Sequence, residues 1–354
     1  MSETTFSREA EPTEVDSDIQ IYKEIEHFAS SVYPHLLQLA DKIAQGPDQA
    51  VIEEIQSLVI NPQQETIFSK SLYDRLLGDA ELGATLRHDT AGSANTFLLH
   101  LGLLREFTPS KPRAWERFTR SLKAFLKVCP RYFLVLEDIL LRKIEKSSKE
   151  VPVLPLNTIF ADQALTELRN SREVEGRVQS LFGEEASAEK GSVASKPLQH
   201  FSSLNNGEQI MAPTGEVMNA IFNIIRNASK IEVGAEHAAC EISRVGNEII
   251  VHVIDDGHGM SGDQLEHIFK KGVSFTGSTG LGLAGLDARF ARRHIRLFIA
   301  SRRKTNQPGD AMTFAEAHMY PSHSAEATRL QSFLTDRNAA TIFEIRLPIT
   351  KKEH

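Results

Sequence analysis

Residues 253–286 read VIDDGHGMSGDQLEHIFKKGVSFTGSTGLGLAGL. A β-branched apolar run enters a turn made of Asp255, Asp256, Gly257, His258 and Gly259, and a second glycine-rich turn, GSTGLGL, follows at 277–283. A carboxylate at a strand end can accept from the amino group of an adenine ring, and glycines let the backbone pass close to that ring. An ordinary β-turn explains Asp and Gly equally well, so this turn alone decides nothing. Glycine-rich backbone ahead of an apolar helical run presents free N–H groups to phosphate. The second turn is not a dinucleotide fingerprint, because no strand immediately precedes it, and it lacks the Gly-Lys-Ser/Thr of a Walker A loop.

Upstream, NIIRNASK places Asn223, Asn227 and Lys230 at i, i+4 and i+7 on one helical face. Amide oxygens are suitable ligands for Mg²⁺, and a lysine is a point charge suited to phosphate. In this order and spacing the three pieces resemble the N, G1 and G2 boxes of the histidine-kinase/gyrase/Hsp90 ATP-binding superfamily. HIFKKGVSF (267–275) resembles its F box and TIFEIRLPI (341–349) its closing strand. The resemblance covers residues 210–348. It implies a Bergerat-type α/β sandwich that binds ATP and Mg²⁺, with Asp255 on adenine and Gly257 and Gly259 at the base. Asn227 would hold the metal. Thr279, Gly280, Leu281 and Gly282 would lie under the phosphates, with Asn223 and Lys230 beside them.

Hydrolytic and serine-phosphorylating branches of that superfamily usually carry a glutamate four residues before the magnesium asparagine, as general base. Here the position is Asn223, an amide that takes no proton. A kinase without that base needs an acceptor that is already nucleophilic, and neutral imidazole is one. His88, in TLRHDTAGSANTFLLHLGLLREF (85–107), is followed at once by Asp89, which resembles the phosphoacceptor helix of sensor histidine kinases. The acid can orient the ring and draw off its proton. His100 is the weaker candidate, since Leu101 follows it and apolar residues flank it. The resemblance implies autophosphorylation of His88 and transfer to an aspartate of a separate response-regulator receiver domain. The alternative is a histidine phosphotransfer protein with a degenerate ATP-like docking domain, against which Asn227, Asp255 and the Gly280/Gly282 turn all count. Two departures matter. Gly92 and Ser93 stand where common H boxes continue with Thr/Asn and Pro, which puts phosphatase activity in doubt. Gly277 stands where related short-lid kinases often carry Lys, which predicts weaker nucleotide affinity.

Organisation along the 354 residues fits an α+β protein. Residues 1–18 read as a disordered acidic tail, and 19–60 as a helical input or docking segment with Pro34 kinking or breaking the first helix. Residues 61–150 read as the phosphoacceptor domain: helical stripes over 65–107 and 113–146, joined by TPSKP (108–112), make a hairpin. Pro130 should bend or interrupt the second helix. A lone hairpin leaves apolar surface, so a homodimeric four-helix bundle completes it. Residues 151–200 read as a linker helix and mobile loop, and 201–354 as the ATP-binding domain, one sheet against helices. The net charge of −7 and pI near 6.0 argue against a nucleic-acid partner. The basic run RFARRHIRLFIASRRK (289–304) reads as a solvated helix face and strand edge. The two cysteines, Cys129 and Cys240, form no zinc motif. The apolar runs are too short for a transmembrane segment, and the polar start is unlike a signal peptide, so the expectation is a soluble cytoplasmic protein.

Overall fold

The structure, a computed structural model, describes residues 14–43, 48–60, 114–147, 154–169, 207–228, 233–235, 238–270, 283–306, 312–322 and 324–351, with a few shorter stretches. The chain divides into two compact units, Met1–Pro152 and Val153–His354. No helix among the described residues is long and apolar enough to cross a membrane.

In the first unit α1 (Glu14–His27) passes through a π-helical turn (Phe28–Val32) into α2 (Tyr33–Ile43), and α3 (Gln49–Ile60) follows. α4 (Ala114–Lys146) packs against α1 and α2. Residues 14–18, which the sequence places in a disordered tail, are helical. Asp18 is fully buried in α1, where Arg75 (2.6 Å) and Lys143 of α4 (3.1 Å) compensate its charge. The input segment is therefore not a separate body, because α1 and α2 share one core with α4. The expected helix over 65–107 lies almost wholly outside the described residues.

The first helix is interrupted ahead of Pro34, as the sequence suggests, whereas Pro130 is accommodated inside its helix. In a regular helix the Pro34 ring would clash with the Ser30 carbonyl. The wider π turn just ahead of Pro34 relieves that clash, and His27 and Tyr33 on either side keep helical dihedrals. Pro130 lies inside α4, which continues for 33 residues. Its missing N–H orphans the Leu126 carbonyl, and the buried Tyr33 hydroxyl donates to that carbonyl at 2.8 Å. Removing this donor in Tyr33→Phe should cost about 1–2 kcal/mol. Urea denaturation followed by helical circular dichroism should show a lower midpoint at unchanged slope; an unmoved midpoint contradicts the assignment.

From Tyr132 to Leu141 α4 is buried on every side, with the Phe28 ring packed at a tilt against Phe133, centroids 5.0 Å apart. Two acidic residues of this stretch go with it. Asp138 pairs with Arg142 at 2.7 Å, and Glu137 hydrogen-bonds Glu26 of α1. Burial pushes the Glu26 carboxyl up to about 7.

The second unit opens with α5 (Thr158–Arg169), which the sequence had placed in a linker. It is fastened to later residues of the same unit. Leu156 N–H donates to Ile210 at 2.7 Å, Asn157 N–H to Thr214 Oγ1 at 2.9 Å, and Phe201 N–H to Asp162 at 2.8 Å. Then come β1 (Glu208–Ile210), α6 (Thr214–Ala228), β2 (Ala238–Val245), β3 (Glu248–Asp255), α7 (Gly262–His267), α8 (Leu286–Arg292), β4 (Arg296–Asn306), β5 (Met312–Tyr320), α9 (Ala325–Asp336) and β6 (Thr341–Lys351). The sheet order is β2-β3-β6-β4-β5, with β1 on β6, and every pairing is antiparallel. The β2–β3 hairpin turns at Gly246-Asn247 as the sequence predicts, with positive φ at Gly246.

Alternation along the strands separates two faces. On one, Cys240, Val253, Phe343 and Ile299 sit in register, and α6 lies against β2 and β3. On the other, Ile254, Ile342 and Ala300 meet Ala327, Leu330 and Leu334 of α9. Helices cover both faces, so the sheet set against helices that the sequence suggests takes the form of three layers. Under α9 a polar cluster is buried. Glu344 accepts from Arg329 (2.5 Å) and Arg346 (2.6 Å) and pairs with His252 (2.6 Å), whose ring packs on Phe333. Burial raises this carboxyl, but the bonds from His252, Arg329 and Arg346 outweigh it and take the pKa from 4.5 down to about 2. A depressed folded value stabilises above the unfolded one and is lost as pH falls through the folded one. Stability should therefore decline between pH 4.5 and about 2. In Glu344→Gln this part of an acid titration should flatten, and an unchanged acid limb contradicts the assignment.

Candidate functional site

The turn after β3 is fixed from three sides. The Asp255 carbonyl accepts from Ala340 N–H at 2.8 Å, His258 N–H donates to Val233 at 2.7 Å, and Met260 N–H donates to Ser301 Oγ at 2.8 Å. Ser261 then caps α7 in a reciprocal box with Gln264. The glycines are required by these close approaches. A Cβ on Gly257 would lie 2.6 Å from Val233, and one on Gly259, at φ +72°, would lie 2.0 Å from the Arg302 carbonyl oxygen.

Within this frame Asp255 Oδ1 accepts from Gly257 N–H at 3.0 Å, and no donor among the described residues reaches Oδ2. That oxygen keeps its capacity to accept from a donor outside the described residues. Burial pushes the Asp255 carboxyl up to about 7 and Asp256 adds to the rise, while the Gly257 N–H and the Lys304 charge oppose it. Asn223 and Asn227 lie on successive turns of α6. Asn223 is buried and its Oδ1 accepts from Arg226 at 2.8 Å. Asn227, half-buried, has no bond to its amide among the described residues, so its oxygen suits a hard cation. Lys230, Thr279, Gly280, Leu281, Gly282, His88 and Asp89 lie outside the described residues.

Residues 214–321 match the family described as "Histidine kinase-, DNA gyrase B-, and HSP90-like ATPase". This stretch of the second unit is thus a domain of that ATPase superfamily. Among solved structures the chain is similar to a mycobacterial sensor histidine kinase, MprB, with TM-score 0.25 and 15% identity, covering 41% of this chain and 77% of that one. It is also similar to full-length ShkA in complex with AMPPNP, with TM-score 0.37 and 17% identity, covering 79% of this chain and 47% of that one. The chain thus spans about half the length of the latter. These likenesses are too loose to carry residue roles. No curated protein matches the chain.

Several parts of the ATPase domain were not visible in its motifs. Glu216, at the start of α6, is buried between Arg289 of α8 (2.8 Å) and Arg293 just past its C-terminal end (2.6 Å). Arg302 donates to the carbonyls of Ala339 and Leu334, and Lys304 Nζ donates to the carbonyl of Asp256. Much of the basic run is consequently internal scaffolding, not the solvated face expected. Beyond α7, Phe269 packs edge-on to Tyr320 at 5.0 Å and its carbonyl accepts from Gly285 N–H at 2.8 Å. Tyr320 in turn donates to Asp287 at 2.7 Å. Phe269 is thereby tied to the start of α8. A charge partner or a ring partner many residues away leaves no local sequence signal.

Proposed function

We propose that the protein is a histidine kinase that phosphorylates its own His88 from Mg-ATP and passes the phosphoryl group to an aspartate of a separate response-regulator receiver domain. The observation that carries this is Asn223. Where an ATPase would place a general base, this domain has a buried amide whose oxygen is held by Arg226. Such a group cannot activate water, so productive turnover calls for a nucleophile that needs no base at this position. His88 with Asp89 beside it supplies one.

In this reading Asp255 accepts from the adenine amine and the Gly257–Gly259 backbone borders the ring. Thr279, Gly280, Leu281 and Gly282 line the phosphates, with Asn223 and Lys230 near them. Mg²⁺, held by Asn227, would neutralise charge on the phosphate oxygens. One imidazole nitrogen of His88 attacks the γ-phosphorus, the bond to the β-phosphate oxygen breaks, and ADP leaves. Asp89 receives the proton lost from the other nitrogen. A homodimer, pairing the 61–150 helices of two copies, would bring acceptor and nucleotide together. Incubation with γ-labelled ATP tests the class of reaction. The expected label on the protein is acid-labile and alkali-stable; steady ATP hydrolysis with no labelled protein contradicts it.

A further inference from the structure

The strand that walls the Asp255 turn contributes more than backbone. β4 shifts register against β5 between Arg302 and Lys304, the kind of irregularity that re-aims a side chain. Lys304 then grips the turn twice: its N–H donates to the His258 carbonyl at 2.9 Å, and its Nζ donates to the Asp256 carbonyl. The charged groups acting on Asp255 are Asp256, from its own turn, and Lys304, from β4. His258 faces elsewhere, toward Gly234, where an added Cβ would meet its ring at 2.6 Å.

We propose that Lys304 is a specificity-determining residue of the nucleotide site, holding the 255–260 turn against β4 and supplying the positive charge beside Asp255 that makes this turn select adenine over guanine. The inference rests on the nucleotide reading above. An ionised carboxylate accepts from the 6-amino group of adenine and repels the O6 acceptor of guanine. A neutral carboxyl can instead donate to that O6, so its charge state decides which purine edge it fits. Burial drives Asp255 toward the neutral form near neutral pH, and Lys304 opposes this.

The test is calorimetric binding of non-hydrolysable ATP and GTP analogues with Mg²⁺ to the full chain, from about pH 6 to about pH 8.5. Wild type is compared with Lys304→Met, Lys304→Arg and Asp255→Ala. We expect Lys304→Met to lose ATP affinity at the acid end and to recover it at the alkaline end. Its ATP-to-GTP ratio should narrow, and Lys304→Arg should track wild type. A wild-type pH profile and ratio in Lys304→Met overturn the inference. So does an equal loss for both nucleotides at every pH, which marks a purely structural lysine. If wild type binds neither analogue, the nucleotide reading itself fails and the inference falls with it.

Discussion

Asp255→Ala is expected to bind ATP about a hundredfold more weakly than wild type, the range for losing a buried hydrogen bond to a charged group. The side chain is buried at the end of β3, with Oδ1 engaged by Gly257 N–H. Its removal deletes the acceptor for a base amine and leaves the turn's outer contacts, from Ala340, Val233 and Ser301, intact. Folding should therefore survive, and thermal unfolding of the variant without nucleotide checks that it does. Because the buried carboxylate is itself costly to the fold, the unliganded variant should be at least as stable as wild type. Undiminished affinity in Asp255→Ala would remove adenine recognition from this residue.

Gly259→Ala should be the most damaging small substitution in the second unit. Its Cβ would sit 2.0 Å from the Arg302 carbonyl oxygen, a backbone atom in a paired strand, and φ is +72°. Neither obstacle can be relieved by a rotamer change. The expected cost is about 3 kcal/mol or more, or a drop of about 10 °C in melting temperature for a unit of this size. Gly246→Ala is the control. Its φ is +59° but nothing lies within 4 Å of the added carbon, so only the left-handed backbone is penalised, at about 1 kcal/mol. Equal melting temperatures for the two variants would show that β4 does not press on the turn.

The sequence was most legible where chemistry is local. The Asp255–Gly259 turn, the Gly246-Asn247 hairpin and the helix carrying Asn223 and Asn227 each declare themselves within a few residues, and each is found where expected. Less legible was whatever depends on partners far along the chain. Lys304, Arg289 and Arg293 read as one basic run, because nothing near them names Asp256 or Glu216 as partners. α9 escaped notice because a 12-residue helix with three buried positions, Ala327, Leu330 and Leu334, has a weak apolar stripe. Its cover of the second sheet face went with it. Pro130 misled in the other direction. Proline's cost is local, but a tyrosine 93 residues from Leu126 offsets it.

The most direct test of the account is autophosphorylation with γ-labelled ATP and Mg²⁺, comparing wild type, His88→Gln and Asn227→Ala. Wild type should carry an acid-labile, alkali-stable label, and neither variant should carry it. Asn227→Ala should fail because the metal site is lost, and His88→Gln because the acceptor is lost while nucleotide still binds. A label that persists in His88→Gln would place the acceptor elsewhere. No label on a wild-type chain that binds ATP would contradict the kinase assignment itself.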